Sequence, residues 1–200
     1  RTEVMEGLRF TWQHPRLRAL FFLLAVGGGL MFGSAVALLP KIARDEFGRS
    51  ADDSGLLFAL MGAGMIATSI GLIRHRQRIT RRGLVFMLGM VAGTSNQIVQ
   101  GFVPSYLWLA VLMFLWGASG GFYMNINQTL IQELTPREKM GRVMSLTSLT
   151  QGGLVPLGAL VASALAGAIG PQRAMSIFGV VSLSCVLVTL AIAKELRQQA

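Results

Sequence analysis

Charged residues are scarce in this sequence, and their scarcity is uneven. Only 14% of its 200 residues are Asp, Glu, Lys or Arg, against about 25% in a typical soluble domain. A helix needs about 20 apolar residues to cross the hydrocarbon of a bilayer. Five stretches of at least that length contain no charged residue and no histidine, namely 19–40, 54–73, 83–132, 143–172 and 174–193.

The third stretch is long enough for two spans and contains a turn signal, Gly101-Phe-Val-Pro104-Ser105. A soluble bundle is excluded because residues 20–26 and 180–190 are apolar around the whole helix, whereas a soluble helix needs a polar face. The sequence therefore predicts an all-α membrane protein with six transmembrane helices. The predicted spans are about 19–40, 54–73, 83–102, 105–131, 143–169 and 173–193.

Cysteine and histidine are almost absent. The single cysteine, Cys185, lies within a span, so an intrachain disulfide is excluded. The two histidines, His14 and His75, lie outside the spans, and one cysteine with two distant histidines does not make a metal centre. We therefore expect no metal and no cofactor.

The net charge of +9 is distributed by topology. Of the 18 basic residues, 14 lie in alternate segments, namely 1–18, 74–82, 137–142 and 194–197. Because basic residues accumulate on the cytoplasmic side, these segments are predicted to be cytoplasmic. We therefore expect a multi-pass protein of the plasma (inner) membrane with both ends in the cytoplasm. The excess charge is attributed to topology and lipid contact, not to nucleic-acid binding. Residues 1–18 are predicted to be an amphipathic approach segment, with Phe10 and Trp12 at the membrane interface, and 194–200 a cytoplasmic tail.

Two patterns imitate enzyme motifs. Gly62-x-Gly64-x-x-Ala67 fits the dinucleotide fingerprint, but it lies inside a predicted span and has no acidic residue about 20 positions on, so it indicates helix packing. Gly117-Ala-Ser119-Gly120 has the form of the nucleophile motif of rhomboid proteases. A serine nucleophile needs a base within hydrogen-bond reach, and no span contains a histidine or lysine. An intramembrane hydrolase is therefore disfavoured.

An aromatic and polar stripe follows the predicted fourth span. Trp116, Ser119, Tyr123 and Asn127 are spaced so that all four lie on one helix face. Polar residues within spans often only join helices by hydrogen bonds. A stripe that combines aromatic and neutral polar groups also fits a cavity for amphipathic molecules. Both interpretations stay open from the residues alone.

The stretch 117–158 resembles the major facilitator superfamily, and within it the branch of enterobactin-type siderophore exporters and macrolide-efflux proteins. The resemblance is carried by Asn125 and Asn127, by Gln132 to Pro136, by Gly141-Arg142-Val143 and by a glycine-rich fifth span. It implies that the chain is the C-terminal six-helix half of a transporter, with 1–18 as the end of the central loop. Because the first residue is Arg, we expect the chain to be a fragment, with an N-terminal six-helix half in the same polypeptide. A genuine start at residue 1 would instead favour a homodimeric or degenerate half.

The loop motif of that superfamily, Gly-x-Leu-x-Asp-Arg-x-Gly-Arg-Arg, aligns with residues 71–78. Gly71 and Arg76 match it, whereas His75 stands where the family has Asp. The resemblance implies a network at the cytoplasmic gate. Its members would be Gly71, Arg76, Arg137, Glu138 and Arg142. Topology anchoring explains the same charges equally well.

The resemblance also implies alternating access around a cavity lined by the first, second, fourth and fifth spans. The expected substrate contacts are Ser34, Trp116, Ser119, Tyr123, Asn127 and Gln151. Asn96 and Gln97 lie on the third span, which the resemblance makes peripheral, and their polarity has no explanation at this level. The expected partners are the lipid bilayer and a small hydrophobic or amphipathic substrate, such as a drug or siderophore, exported by a secondary-active antiporter. A non-transporting scaffold or receptor is the alternative.

Overall fold

The computed structural model describes residues 2–74 and 82–192, and over these residues it is helical, as the sequence predicted. The helices are α1 (Thr2–Gln13), α2 (Pro15–Glu46), α3 (Ala51–Arg74), α4 (Arg82–Gln100), α5 (Tyr106–Leu134), α6 (Met140–Ile169) and α7 (Pro171–Ile192). A short 3₁₀ turn, Arg137–Lys139, precedes α6. The all-α fold class is confirmed.

Five of these helices are long and apolar enough to cross a membrane by length and composition: α2, α3, α5, α6 with its preceding turn, and α7. The third predicted span corresponds to α4, which has only 19 residues and is outside that group. Its second half contains the run Thr94-Ser-Asn-Gln97 and Gln100, which lower its hydropathy. For α4, membrane crossing stays a prediction.

The first span is not a uniform α-helix. Within α2, the α-helical pieces Pro15–Ala25 and Ser34–Lys41 are separated by a π-helical segment, Val26–Gly33, and a second one, Ile42–Glu46, ends it. Wide π turns of this kind are rare and often mark functional positions. The first of them carries four buried glycines, of which Gly28, Gly29 and Gly33 face α6 and Gly27 faces Tyr123 of α5.

Glycines bring α2 and α6 into backbone contact. A Cβ on Gly33 would lie 2.6 Å from the Val155 carbonyl oxygen, and a Cβ on Gly158 would overlap the Gly29 carbonyl. Side chains at these positions would force the helices apart. In lipid, close packing of this kind replaces the hydrophobic effect as the force that joins helices.

The second close crossing joins α3 and α5. Cβ atoms on Gly64 and Gly117 would overlap the backbone carbonyls of Phe114 and Met61. The Thr68 hydroxyl donates to the Ala118 carbonyl at 2.9 Å across the same crossing. Helix packing is thus confirmed for Gly64, the second glycine of the fingerprint-like pattern. A Cβ on Gly62 would meet no atom of the described residues within 4 Å.

A buried polar cluster of Ser34, Gln97 and Met175 joins α2, α4 and α7. Gln97 Nε2 donates to Ser34 Oγ at 2.8 Å and to Met175 Sδ at 3.6 Å, and Gln97 is completely buried. On the same helix, Gln100 donates to Asn96 Oδ1 at 2.7 Å. The polarity of the third span, which the sequence left unexplained, therefore serves contacts between and within helices.

Helix α1 packs on the beginning of α6. Gly7 faces the Arg142 carbonyl oxygen, which a Cβ would approach to 3.3 Å. Phe10 is buried, and its ring lies 4.2 Å from Lys139 Nζ. Helix α1 thus turns the Phe10 ring toward the protein, whereas 66% of the surface of Trp12 is exposed. The depth of both residues at the membrane interface stays a prediction.

Candidate functional site

A cavity of about 510 Å³ lies among α2, α3, α4, α5 and α6, and we call it the central cavity. The third span, α4, borders it through Gly89, Met90 and Gly93, so the expectation that this span is peripheral to the cavity is wrong. The size of the cavity is within the range of small-molecule pockets, about 300–1,000 Å³. Its wall is apolar and aromatic with a few neutral polar groups, and the described residues around it include no Asp, Glu, Lys, Arg or His. Such a wall favours neutral or weakly charged ligands, because an unpaired charge is costly away from water.

The aromatic residues of the wall are held by stacking. Trp116 is buried, and its ring lies parallel to that of Phe32, with centroids 6.5 Å apart and planes at 4°. Tyr123 stacks on Phe86 with centroids 5.9 Å apart. These contacts fix the two large rings before any ligand arrives, which reduces the entropy lost on binding.

Tyr123 is also fixed by its hydroxyl, which donates to the Leu24 carbonyl oxygen at 3.3 Å. The bond crosses from α5 to the turn of α2 that precedes the glycines. A Cβ on Gly27 would lie 2.5 Å from the Tyr123 hydroxyl oxygen. The glycine therefore makes the space that the phenol occupies.

Two neutral polar residues complete the wall. Ser119 lines the central cavity from α5, and its hydroxyl donates to the Leu115 carbonyl of its own helix at 3.1 Å. Gln151 lines it from α6, opposite Gly28. Together with the two rings, the wall thus combines large apolar surfaces with neutral hydrogen-bonding groups.

The structure brings together four of the six predicted substrate contacts: Trp116, Ser119, Tyr123 and Gln151. It places the other two elsewhere. Ser34 is fully buried in the polar cluster with Gln97. Asn127 is buried farther along α5, and its Oδ1 accepts no hydrogen bond from the described residues. Contact with a substrate stays a prediction for all six.

Five methionines of the wall were missed by reasoning from sequence. Each lies on a helix that borders the central cavity, and the five are Met31, Met61, Met65, Met90 and Met124. A partial signal was present, because Met61 and Met65 are four residues apart and so share a face of α3. Methionine side chains are flexible and polarisable, and they adapt to ligands of different shape.

The predicted gate residues lie where α3 ends and α6 begins. Gly71 is near the end of α3, Arg137 and Glu138 are exposed in the turn before α6, and Arg142 is half-buried in the first turn of α6. Arg76 lies outside the described residues. The gate network stays a prediction.

Comparison with known proteins agrees with the helical architecture. The family model described as "Major Facilitator Superfamily" matches residues 20–199. The multidrug efflux pump Tap of Mycolicibacterium fortuitum is 26% identical over 167 residues, covering 84% of this chain and 40% of that protein. Macrolide efflux protein A of Streptococcus pyogenes is 26% identical over 202 residues (98% and 48%), and the enterobactin exporter EntS of Escherichia coli O1:K1 is 25% identical over 197 residues (98% and 46%). The chain spans less than half the length of these curated relatives.

Proposed function

The chain belongs to the Major Facilitator Superfamily and lies in a membrane, and on that premise we propose that it is the C-terminal half of an exporter of small hydrophobic or amphipathic molecules. The observation that carries the proposal is the central cavity, with its stacked aromatic rings and its methionines. None of the described residues that line it is charged. A drug or a siderophore with large apolar surfaces fits such a wall.

The methionines support a broad range of substrates. A wall of flexible thioethers repacks around different shapes, whereas Trp116 and Tyr123 supply rigid surfaces for stacking. The relatives named above are called a multidrug pump, a macrolide efflux protein and an enterobactin exporter. Those names favour transport over a scaffold, a receptor or a hydrolase, and they favour export as its direction.

One side of the central cavity is open, which supports the proposal of a second six-helix half that covers it. Phe32, Met124, Gly152 and Pro156 line the cavity and are exposed at its surface. A second six-helix bundle of the same polypeptide would cover this side and enclose the substrate. In the proposed cycle the two halves rock about the cavity, in an inner membrane with both ends of this chain in the cytoplasm.

The proposal is tested by replacing the two aromatic contacts. We expect Trp116→Ala with Tyr123→Ala, in the full-length gene product, to reduce the apparent affinity for exported dye about tenfold or more. Aromatic contacts contribute about 0.5–1.5 kcal/mol each beyond their buried area, and 1.4 kcal/mol is tenfold. Dye efflux and drug resistance are measured in an export-deficient strain at equal membrane protein levels.

Trp108→Ala is the matched control. Trp108 lies on the same helix as Trp116, is 58% exposed and is not part of the cavity wall. Its loss should leave efflux unchanged. Efflux that is equally strong in the double variant and in the control would refute the assignment of the central cavity to substrate.

A further inference from the structure

A second cavity, of about 760 Å³, lies between α1, the first turns of α2, the beginning of α6 and the end of α7, and we call it the lateral groove. None of its described lining residues borders the central cavity. Its apolar wall includes Phe22, Val188 and Ile192, of which 48%, 55% and 77% are exposed. Because the groove shares no lining residue with the central cavity, whose open side is proposed to face the second half, we expect these side chains to face lipid tails and the groove to open sideways into the hydrocarbon.

One end of the lateral groove is positively charged. Arg16 and Arg18 line it at the first turn of α2, and both are exposed. The helix itself begins at Pro15, so its partially positive end points to the same place. The described lining contains no Asp or Glu. Across the groove, Trp12 is exposed on α1, in the position that tryptophan takes at the level of lipid headgroups.

The threonine hydroxyl groups that line the lateral groove all donate hydrogen bonds within their own helices. Thr11, Thr150 and Thr189 each donate to a carbonyl of their own helix, to Gly7, Leu146 and Cys185 at 2.8–2.9 Å. The positive charge at the end of the groove formed by Arg16 and Arg18, and not the hydroxyl groups, therefore distinguishes one ligand from another. Recognition by charge, without further polar contacts, selects an anion but not the remainder of its headgroup.

We propose that the lateral groove binds one anionic phospholipid. Its phosphate lies at Arg16 and Arg18, and an acyl chain follows the apolar wall past Phe21 and Phe22 toward Ala25 and Val188. A phospholipid is the molecule whose charge and chain match both ends of the groove. Occupancy would hold α1 between α2 and α6, next to the contact of Gly7 with Arg142. The site is independent of what the central cavity transports.

The test compares lipids that have identical chains and whose headgroups differ in net charge. The full-length gene product is delipidated in detergent and titrated with phosphatidylglycerol or phosphatidylcholine of identical chains, and bound lipid is counted by native mass spectrometry. We expect phosphatidylglycerol to be retained about 30-fold more tightly, because each of the two arginines near the anionic lipid contributes on the order of 1 kcal/mol. Inorganic phosphate alone should not raise the midpoint of thermal unfolding.

Two kinds of variant locate the site. Arg16→Gln with Arg18→Gln should remove the preference for phosphatidylglycerol, and Arg18→Gln alone should weaken it if the pair does not fold. Ala25→Phe should reduce binding of either lipid by filling the apolar end while leaving the arginines in place. The control, Arg49→Gln with Arg173→Gln, removes two exposed charges that lie outside the groove and should bind lipid as the wild type does.

Three outcomes would overturn the proposal. Equal retention of the two lipids by the wild type would show that the lateral groove does not distinguish an anionic headgroup from a zwitterionic one. Retained preference in the folded arginine variants would place the lipid elsewhere. Unchanged binding in Ala25→Phe would show that the groove does not hold the chain. Dye efflux takes no part in these measurements, so failure of this proposal leaves the proposed function to its own test.

Discussion

At the scale of single residues, Gly27 determines where Tyr123 lies. The glycine belongs to the π-helical segment of α2, and its missing side chain leaves room for the phenol to reach the Leu24 carbonyl. The neighbouring Gly28 also lines the central cavity but faces the backbone of Gln151 at an ordinary distance. Two adjacent glycines therefore tolerate a methyl group differently.

We expect Gly27→Ala to displace the Tyr123 ring and to destabilise the protein by about 1–3 kcal/mol, as overpacking does. Gly28→Ala is the control, because its Cβ would lie 3.6 Å from Gln151 Cα, in normal van der Waals contact. Thermal unfolding and dye efflux of both variants are measured in the full-length protein. Equal unfolding midpoints and equal efflux in the two variants would contradict the fit between glycine and phenol.

The sequence predicted part of this site because part of it lies on one helix. Trp116, Ser119 and Tyr123 share a face of α5, and helical periodicity alone brings them to one wall. Ser34 lies outside this wall and accepts a hydrogen bond from Gln97, a contact that sequence could not show because the two residues are distant along the chain. The methionines come from four helices, so no pattern within one helix shows that they meet.

At the scale of helices, composition predicted that the helices exist but not that α2 contains π-helical segments. Each membrane-spanning helix satisfies its backbone hydrogen bonds within itself, so charge-free stretches predict helices well. The π-helical segments of α2 were not predicted, because charge-free stretches predict a helix but not its type of turn, and the glycines of the first segment meet their partners on α5 and α6 only in the folded bundle. The role of Gln97 was equally hidden, since its partners lie on α2 and α7.

A matched pair of glutamines tests the role of the polar cluster. We expect Gln97→Met to lower the stability of the bundle by about 0.6–1.7 kcal/mol, because it removes a hydrogen bond between helices. Gln100→Met should have a smaller effect, since Gln100 is equally buried but donates to Asn96 on its own helix. Thermal unfolding in detergent reports the difference. A larger loss in the Gln100 variant would refute the proposed role of Gln97 as the residue that joins the helices.

At the scale of the whole molecule, orientation follows from the distribution of charge and stays a prediction. Arg49 lies between α2 and α3, and Gln132 lies near the end of α5, both exposed. The proposed topology puts these two positions on opposite sides of the membrane. The family match and the apolar helices place the chain in a membrane but leave its direction open.

Cysteine labelling determines that direction. In a cysteine-free background of the full-length protein, in which Cys185→Ser is one of the replacements, we expect Arg49→Cys to react with a membrane-impermeant maleimide on intact cells, because its segment is proposed to face outward. Gln132→Cys should react only after permeabilisation. If Gln132→Cys were labelled on intact cells and Arg49→Cys were not, the chain would have the opposite orientation to the one proposed.

The neutral wall of the central cavity bears on how a membrane voltage could drive transport. A voltage does work only on charge that moves through it, about 2.3 kcal/mol per elementary charge per 100 mV. The described wall has no ionisable side chain, so reorienting it around a neutral substrate carries no formal charge across the electric field. The electrical work of a transport cycle must therefore be done on the substrate's own charge or on residues beyond this wall.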